Sequence, residues 1–114
     1  MSRVGLSDML KQAQKLQEQF QQAQEGLINL RAEGSAGGGM VTAMANGKQE
    51  ILQLRIDKQA VDPNDLELLE DLIVVAVNQA LSKAQELASA EMSKAAGSVL
   101  SSLPGNLKIP GTES

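Results

Sequence analysis

The chain has 114 residues, 42% of them hydrophobic and 21% charged, with Phe20 as its single aromatic residue and no Cys, His, Trp or Tyr. That is a length for one domain; without thiol or imidazole, nucleophilic catalysis lacks its usual groups and a zinc site would need carboxylates alone, so neither an enzyme nor a metal or other cofactor is expected. The net charge is -4, and the acidity is local: residues 57–71 hold Asp57, Asp62, Asp65, Glu67, Glu70 and Asp71 against Lys58 alone, leaving the rest nearly balanced.

In chain order, Met1 to Asp8 is too polar for a signal peptide, and no apolar run approaches the ~20 residues of a membrane span. A cytoplasmic protein without membrane contact is expected. From Met9 the apolar residues Met9, Ala13, Leu16, Phe20, Ala23, Leu27 and Leu30 alternate spacings of four and three, the seam of a coiled-coil-like helix. Ser7 or Asp8 is the expected N-cap. Between the seam positions lie Gln12, Gln14, Gln17, Gln19, Gln21, Gln22 and Gln24, uncharged helix formers; over ~24 residues the helix would span roughly 36 Å.

A first strand is expected around Arg31 to Ser35, although residues 28–33 also read as the helix end. Gly37-Gly38-Gly39 breaks any helix, and Met40 to Ala45 then leads to Asn46-Gly47, the commonest pair in two-residue type I′ hairpins. Leu52, Leu54 and Ile56 alternate with Gln53, Arg55 and Asp57, the pattern of a half-buried strand. Asp62-Pro63-Asn64-Asp65 opens a second long helix, carried by Leu66, Leu69, Ile73, Ala76, Ala80, Leu87 and Ala90 up to Gly97 as its breaker. Within it Leu72, Ile73, Val74, Val75, Ala76 and Val77 suit a strand by propensity. No turn residue flanks them, however, and helical spacing continues on both sides. Being apolar all round, this segment requires cover on more than one side. Two long helices and three strands supply little interior, so a two-fold homodimer with Leu72 to Val77 near its centre is expected.

Gly37-Gly38-Gly39 is followed by strand rather than a helix N-terminus, so it reads as a hairpin turn and not a phosphate cradle. Asp57, Asp62 and Asp65 lack the mid-loop Gly and closing Glu of a calcium loop; acids at a helix start are explained by its macrodipole. If the hairpin sheet joins the end of the first helix to the start of the second, the opposite helix ends project away from it. Lys11 and Lys15, one turn apart, then share a distal face, with Lys94 and Lys83 on the second helix and Arg3 and Lys108 in the tails. This is a footprint for a polyanion, with Asp8, Glu18, Glu86 and Glu91 interspersed. The lack of aromatics excludes stacking on single strands and leaves contacts to duplex phosphates by Lys, Arg and Gln.

The stretches Gly37-Gly38-Gly39-Met40-Val41-Thr42 with Asn46-Gly47, Leu54-Arg55-Ile56-Asp57, Leu69-Glu70-Asp71-Leu72-Ile73, Ala76-Val77-Asn78-Gln79-Ala80 and Leu103-Pro104-Gly105 resemble, in order and spacing, the YbaB/EbfC family of bacterial nucleoid-associated proteins. The run Met9 to Gln17 is similar to that family's first helix. The resemblance implies an α+β chain of order α-β-β-β-α, as a single domain over residues 1–97; the tail over 98–114, which ends in Leu103-Pro104-Gly105 and Ile109-Pro110-Gly111, is expected from its sequence to be mobile except where a Leu or Ile docks. The resemblance also implies a homodimer whose helices project as tweezer-like arms. Double-stranded DNA would be the partner, bound with broad sequence tolerance, in nucleoid organisation and gene regulation; no small-molecule substrate is implied. Contacts on the projecting helices map to Lys11, Lys15, Lys83 and Lys94, with Arg3 nearby. The chain departs from expectation in its acidity and in having only Arg3, Arg31 and Arg55, which limits bidentate recognition. The alternative from another class is a protein-interaction scaffold that uses the Gln-rich and apolar helices, with weak or no DNA binding.

Overall fold

The computed structural model describes residues 2–101, with side chains described for 5–98. Helix α1 spans Ser2–Gly26 and ends in a single 3₁₀ turn, Leu27–Asn29. Ser7 and Asp8, expected to cap it, lie inside it; a Ser or Asp in a helix interior costs only about 0.5 kcal/mol relative to Ala, so the helix extends past both. Strands β1 (Ala32–Ala36), β2 (Val41–Ala45) and β3 (Ile51–Ile56) form an antiparallel sheet in the order β1-β2-β3. Helix α2, Leu66–Ser101, completes the α-β-β-β-α order.

The two hairpin turns are built differently. Between β1 and β2, Gly37, Gly38 and Gly39 take φ of 63, 67 and 96°, a run of left-handed conformations open only to glycine at low cost. Between β2 and β3 the expected two-residue type I′ turn is absent. Residues 46–50 form a longer loop in which the Asn46 N–H donates to the Glu50 carbonyl at 3.0 Å and the left-handed residue is Gln49, φ 62°. Such a loop, with one left-handed residue closing a turn, is the next commonest hairpin. Asn46 explains the choice. It is 1% exposed, its Oδ1 accepts from the N–H groups of Lys48 and Glu50 at 2.9 and 3.1 Å, and its Nδ2 donates to Glu50 Oε1 at 2.8 Å.

The core is made of small residues. Ala32 and Ala36 of β1 and Val41, Ala43 and Ala45 of β2 face Ala76, Ala80 and Ala84 of α2, which share one helix face at intervals of four. Small side chains bring α2 onto the sheet so closely that a Cβ on Gly34 would fall on the Ala76 carbonyl oxygen and the Ala80 nitrogen. Leu69, Leu72, Ile73, Val77, Leu81 and Ile56 pack around this contact. At the start of α2, Asp65 Oδ1 accepts from the Leu68 N–H at 3.2 Å, an N-cap. Asp57 and Asp62 cap the preceding turns likewise, accepting from Gln59 and Asn64 at 3.0 and 2.9 Å.

Two further expectations are corrected. Gly97 does not break α2, which continues to Ser101; a helix-interior Gly costs about 1 kcal/mol, and the helix carries it. Nor is β3 half buried, since Ile51, Leu52 and Leu54 are 39%, 47% and 41% exposed. A helix about 10 Å wide covers two strands spaced about 4.8 Å apart. Helix α2 lies over β1 and β2 and barely reaches β3.

Candidate nucleic-acid interface

Helix α1 reaches the sheet only at its C-terminal end, where the Leu27 carbonyl accepts from the Gly47 N–H at 2.8 Å. A Cβ on Gly47 would stand 2.6 Å from that oxygen, so this glycine serves the docking of α1 and not the handedness of the turn. Helix α2 leaves the sheet beside the same loop, where Gln85, Ala88, Ser89, Met92 and Ser93 border a groove with Gly47, Lys48 and Gln49. The two helices therefore project from the same end of the sheet in opposite chain directions and pack against each other. Half-buried residues mark the seam: Leu16, Gln19 and Ala23 on α1 with Leu27 just after it, and Ala88, Glu91, Met92, Ala95 and Ala96 on α2. Together they form one arm.

The seam read from the sequence holds for only half of α1. Met9 is 66% exposed and Phe20, at 36%, sits at the seam's margin, while Gln19 takes a seam position and buries an Oε1 that accepts no hydrogen bond. Every residue from 5 to 15 is exposed.

Lys11 and Lys15 lie exposed in this first half of α1, one turn apart, and among the described residues neither is in an ion pair. Lys94 lies on the arm half of α2 and pairs with Glu91 at 3.6 Å, an exposed (i, i+3) contact of small energetic weight. Lys83 does not reach the distal arm; it adjoins Ala84, which is fully buried against the sheet, so it stands at the arm's root. The backbone of Arg3 belongs to α1, while its side chain and Lys108 lie outside the described residues. The other two arginines serve elsewhere. Arg31 donates to the Ile28 and Leu30 carbonyls at 2.8 and 2.9 Å, and Arg55 lies on the outer sheet face with Glu33, Thr42, Met44 and Gln53.

A cation that the sequence reading missed is Lys48. The β2–β3 loop sets it beside Gln85, Ser89 and Ser93, which recur every four residues on α2, so one cation, one amide and two hydroxyls converge at the arm's root. The hairpin signal placed residue 48 in a loop; only tertiary packing sets that loop against α2.

The acidic run of residues 57–71 occupies the opposite end. The Asp57 N–H donates to the Met40 carbonyl at 2.8 Å, and Leu72, just after Asp71, packs near Gly37, so residues 57–71 gather at the triple-glycine end of the sheet, away from the arm. The arm itself is balanced in charge, with Arg3, Lys11 and Lys15 against Asp8, Glu18 and Glu25 on α1. The segregation is of an acidic end from a neutral, lysine-bearing one.

The interface segment expected at Leu72 to Val77 is divided by the helix. Ala76 is fully buried in the chain's own core and Leu72, Ile73 and Val77 are half buried, whereas Val74 and Val75 are 56% and 53% exposed. Adjacent residues diverge by 100°. Val75 shares its side with Gln79, whose Oε1 accepts from the Ser35 N–H at 2.7 Å on the edge strand β1. Val74 shares the other side, toward β3, with Val77 and Leu81.

Similar proteins agree with this architecture. The crystal structure of an uncharacterized protein from Helicobacter pylori superposes with a TM-score of 0.56 over 68% of this chain and 90% of that one, at 24% identity, and so shares the fold. A nucleoid-associated protein of Syntrophobacter fumaroxidans is 50% identical over 102 residues, 90% of either chain. One from Pelotomaculum thermopropionicum is 47% identical over 107 residues, 94% of either chain. The model of the YbaB/EbfC DNA-binding family matches residues 1–99. The chain is a member of the YbaB/EbfC DNA-binding family.

Proposed function

We propose that two copies of this chain form a dimer that grips duplex DNA between its helical arms, through phosphate contacts of low sequence specificity, in the organisation of the nucleoid and the regulation of genes. The observation that carries this reading is the arm: two helices leave the sheet together, and α1 presents exposed Lys11 and Lys15, neither of them ion-paired among the described residues, along its outer half. The relatives' name, nucleoid-associated protein, supports the nucleoid, and hence the cytoplasm, as its place of work. Among the described residues no helix is long and apolar enough to cross a membrane.

A dimer supplies the cover that one chain lacks. Ile51, Leu52 and Leu54 of β3 and Val74 of α2 are exposed, apolar surface that a second copy buries by two-fold symmetry. Duplication also doubles the lysines. Lys11, Lys15, Lys94, Lys83 and Lys48 present ammonium groups, which contact phosphate oxygens as point charges, and the exposed glutamines of α1 add neutral hydrogen bonds to the backbone. With no described arginine side chain on the arm, base recognition in the major groove has little to work with, and duplex is accepted broadly. Charge reversal tests the reading. Lys11→Glu with Lys15→Glu is expected to weaken binding to an arbitrary duplex at least a hundredfold, measured by fluorescence anisotropy, while leaving the oligomeric mass unchanged. Unchanged affinity would exclude the arms as the DNA contact and favour a scaffold that binds protein helices.

A further inference from the structure

The first half of α1 carries an apolar stripe that the described chain does not cover. Leu6, Met9 and Leu10 are 62%, 66% and 60% exposed, and with Ala13 they occupy one side of the helix at spacings of three and four. The side bearing Lys11 and Lys15 lies elsewhere on the same turns. This stripe continues the seam that half buries Leu16, Ala23 and Leu27 against α2, and its first residues lie past the end of α2. From the loop that both helices touch, α2 continues from Gln85 to Ser101, about 24 Å, while α1 extends over 25 residues, about 37 Å. The first residues of α1 therefore stand beyond the end of α2.

The chain itself continues from that point. Thirteen residues follow Ser101, enough extended backbone to reach about 40 Å. Ser101 stands about level with Leu10, and the residues after it include Leu103, Leu107 and Ile109 among otherwise polar residues, glycines and prolines.

We propose that the C-terminal segment, through Leu103, Leu107 and Ile109, docks along Leu6, Met9 and Leu10 of the same chain and extends the arm's apolar seam to its tip. A docked segment stiffens the end of α1, where Lys11 and Lys15 lie, and brings Lys108 to the same tip as a further cation. The inference rests on the reach and position of the two segments and not on DNA binding.

The chain has no native cysteine, so Met9→Cys with Leu107→Cys in the full-length protein gives a clean cross-linking pair for a short bismaleimide. The expected product is a link within one chain, seen on a denaturing gel as a faster band of single-chain mass. Absence of a link, or links only between chains, would overturn the proposal, the latter by assigning the stripe to a second copy. A second measurement leaves the folded core untouched: Leu103→Ser, Leu107→Ser and Ile109→Ser together should speed hydrogen exchange of the amides in residues 6–13 at least tenfold. Equal exchange in the variant and the original chain would also overturn it.

Discussion

Gly34 sits where two backbones meet. Gly34→Ala places a methyl group on the Ala76 carbonyl and the Ala80 nitrogen, and since neither can swing aside as a flexible side chain would, β1 must lift from α2. The expected loss is about 3 kcal/mol, at the upper end for overpacking, read as a lower urea midpoint with unchanged slope at fixed protein concentration. Gln19 offers the opposite case. Its Oε1 is shut away from water without a donor, so Gln19→Leu removes an unsatisfied acceptor and adds apolar surface to the seam. A gain of about 1 kcal/mol is expected, measured as a rise in melting temperature. Neither position was legible as such: Gly34 lay in a weakly patterned strand, and Gln19 was one of several glutamines beside a seam drawn through Phe20.

The elements themselves were largely written in local patterns. Gly37-Gly38-Gly39 marked a turn because three left-handed residues in succession leave no other amino acid comfortable, and Asp65 marked the start of α2 because a carboxylate there meets a free N–H. Boundaries that depend on small energies were misplaced, at Ser7, Asp8 and Gly97, where the helix tolerates a poor residue. Asn46-Gly47 was read for its local turn, whereas the fold uses Asn46 as an internal cap and Gly47 as a landing point for Leu27. Coverage was not legible either, because the alternation of Leu52, Leu54 and Ile56 tells which side of a strand is apolar and not what lies over it. If a second copy covers β3, Leu54→Asp should separate the copies, because a carboxylate would be buried there without a partner. Light scattering would then show single-chain mass with the helical circular dichroism retained; an unchanged mass would move the interface elsewhere.

For the whole molecule the decisive property is where charge lies and not how much there is. A net charge of -4 opposes a polyanion at long range, but the acidic run of residues 57–71 lies at the triple-glycine end, and at physiological salt screening acts over about 8 Å, so its charge is not felt at the distal lysines. If the lysine-bearing end binds duplex as proposed, binding is governed by counterion release. With about six phosphates neutralised per dimer, a fourfold rise in salt should weaken binding roughly a thousandfold. A flat salt response in an anisotropy titration would exclude this mode. Helix α2 adds a mechanical consequence. It is one unbroken rod of 36 residues that carries Val74 at the proposed dimer contact and Lys94 on the arm, positions about 30 Å apart. Pivoted at Val74, such a lever turns a tilt of about 5° into roughly 3 Å of travel at the lysine, comparable with the length of a hydrogen bond. In the proposed dimer the contact between subunits would be a fulcrum, and repacking it without breaking it would reset the width of the grip with no change to any residue proposed to touch DNA.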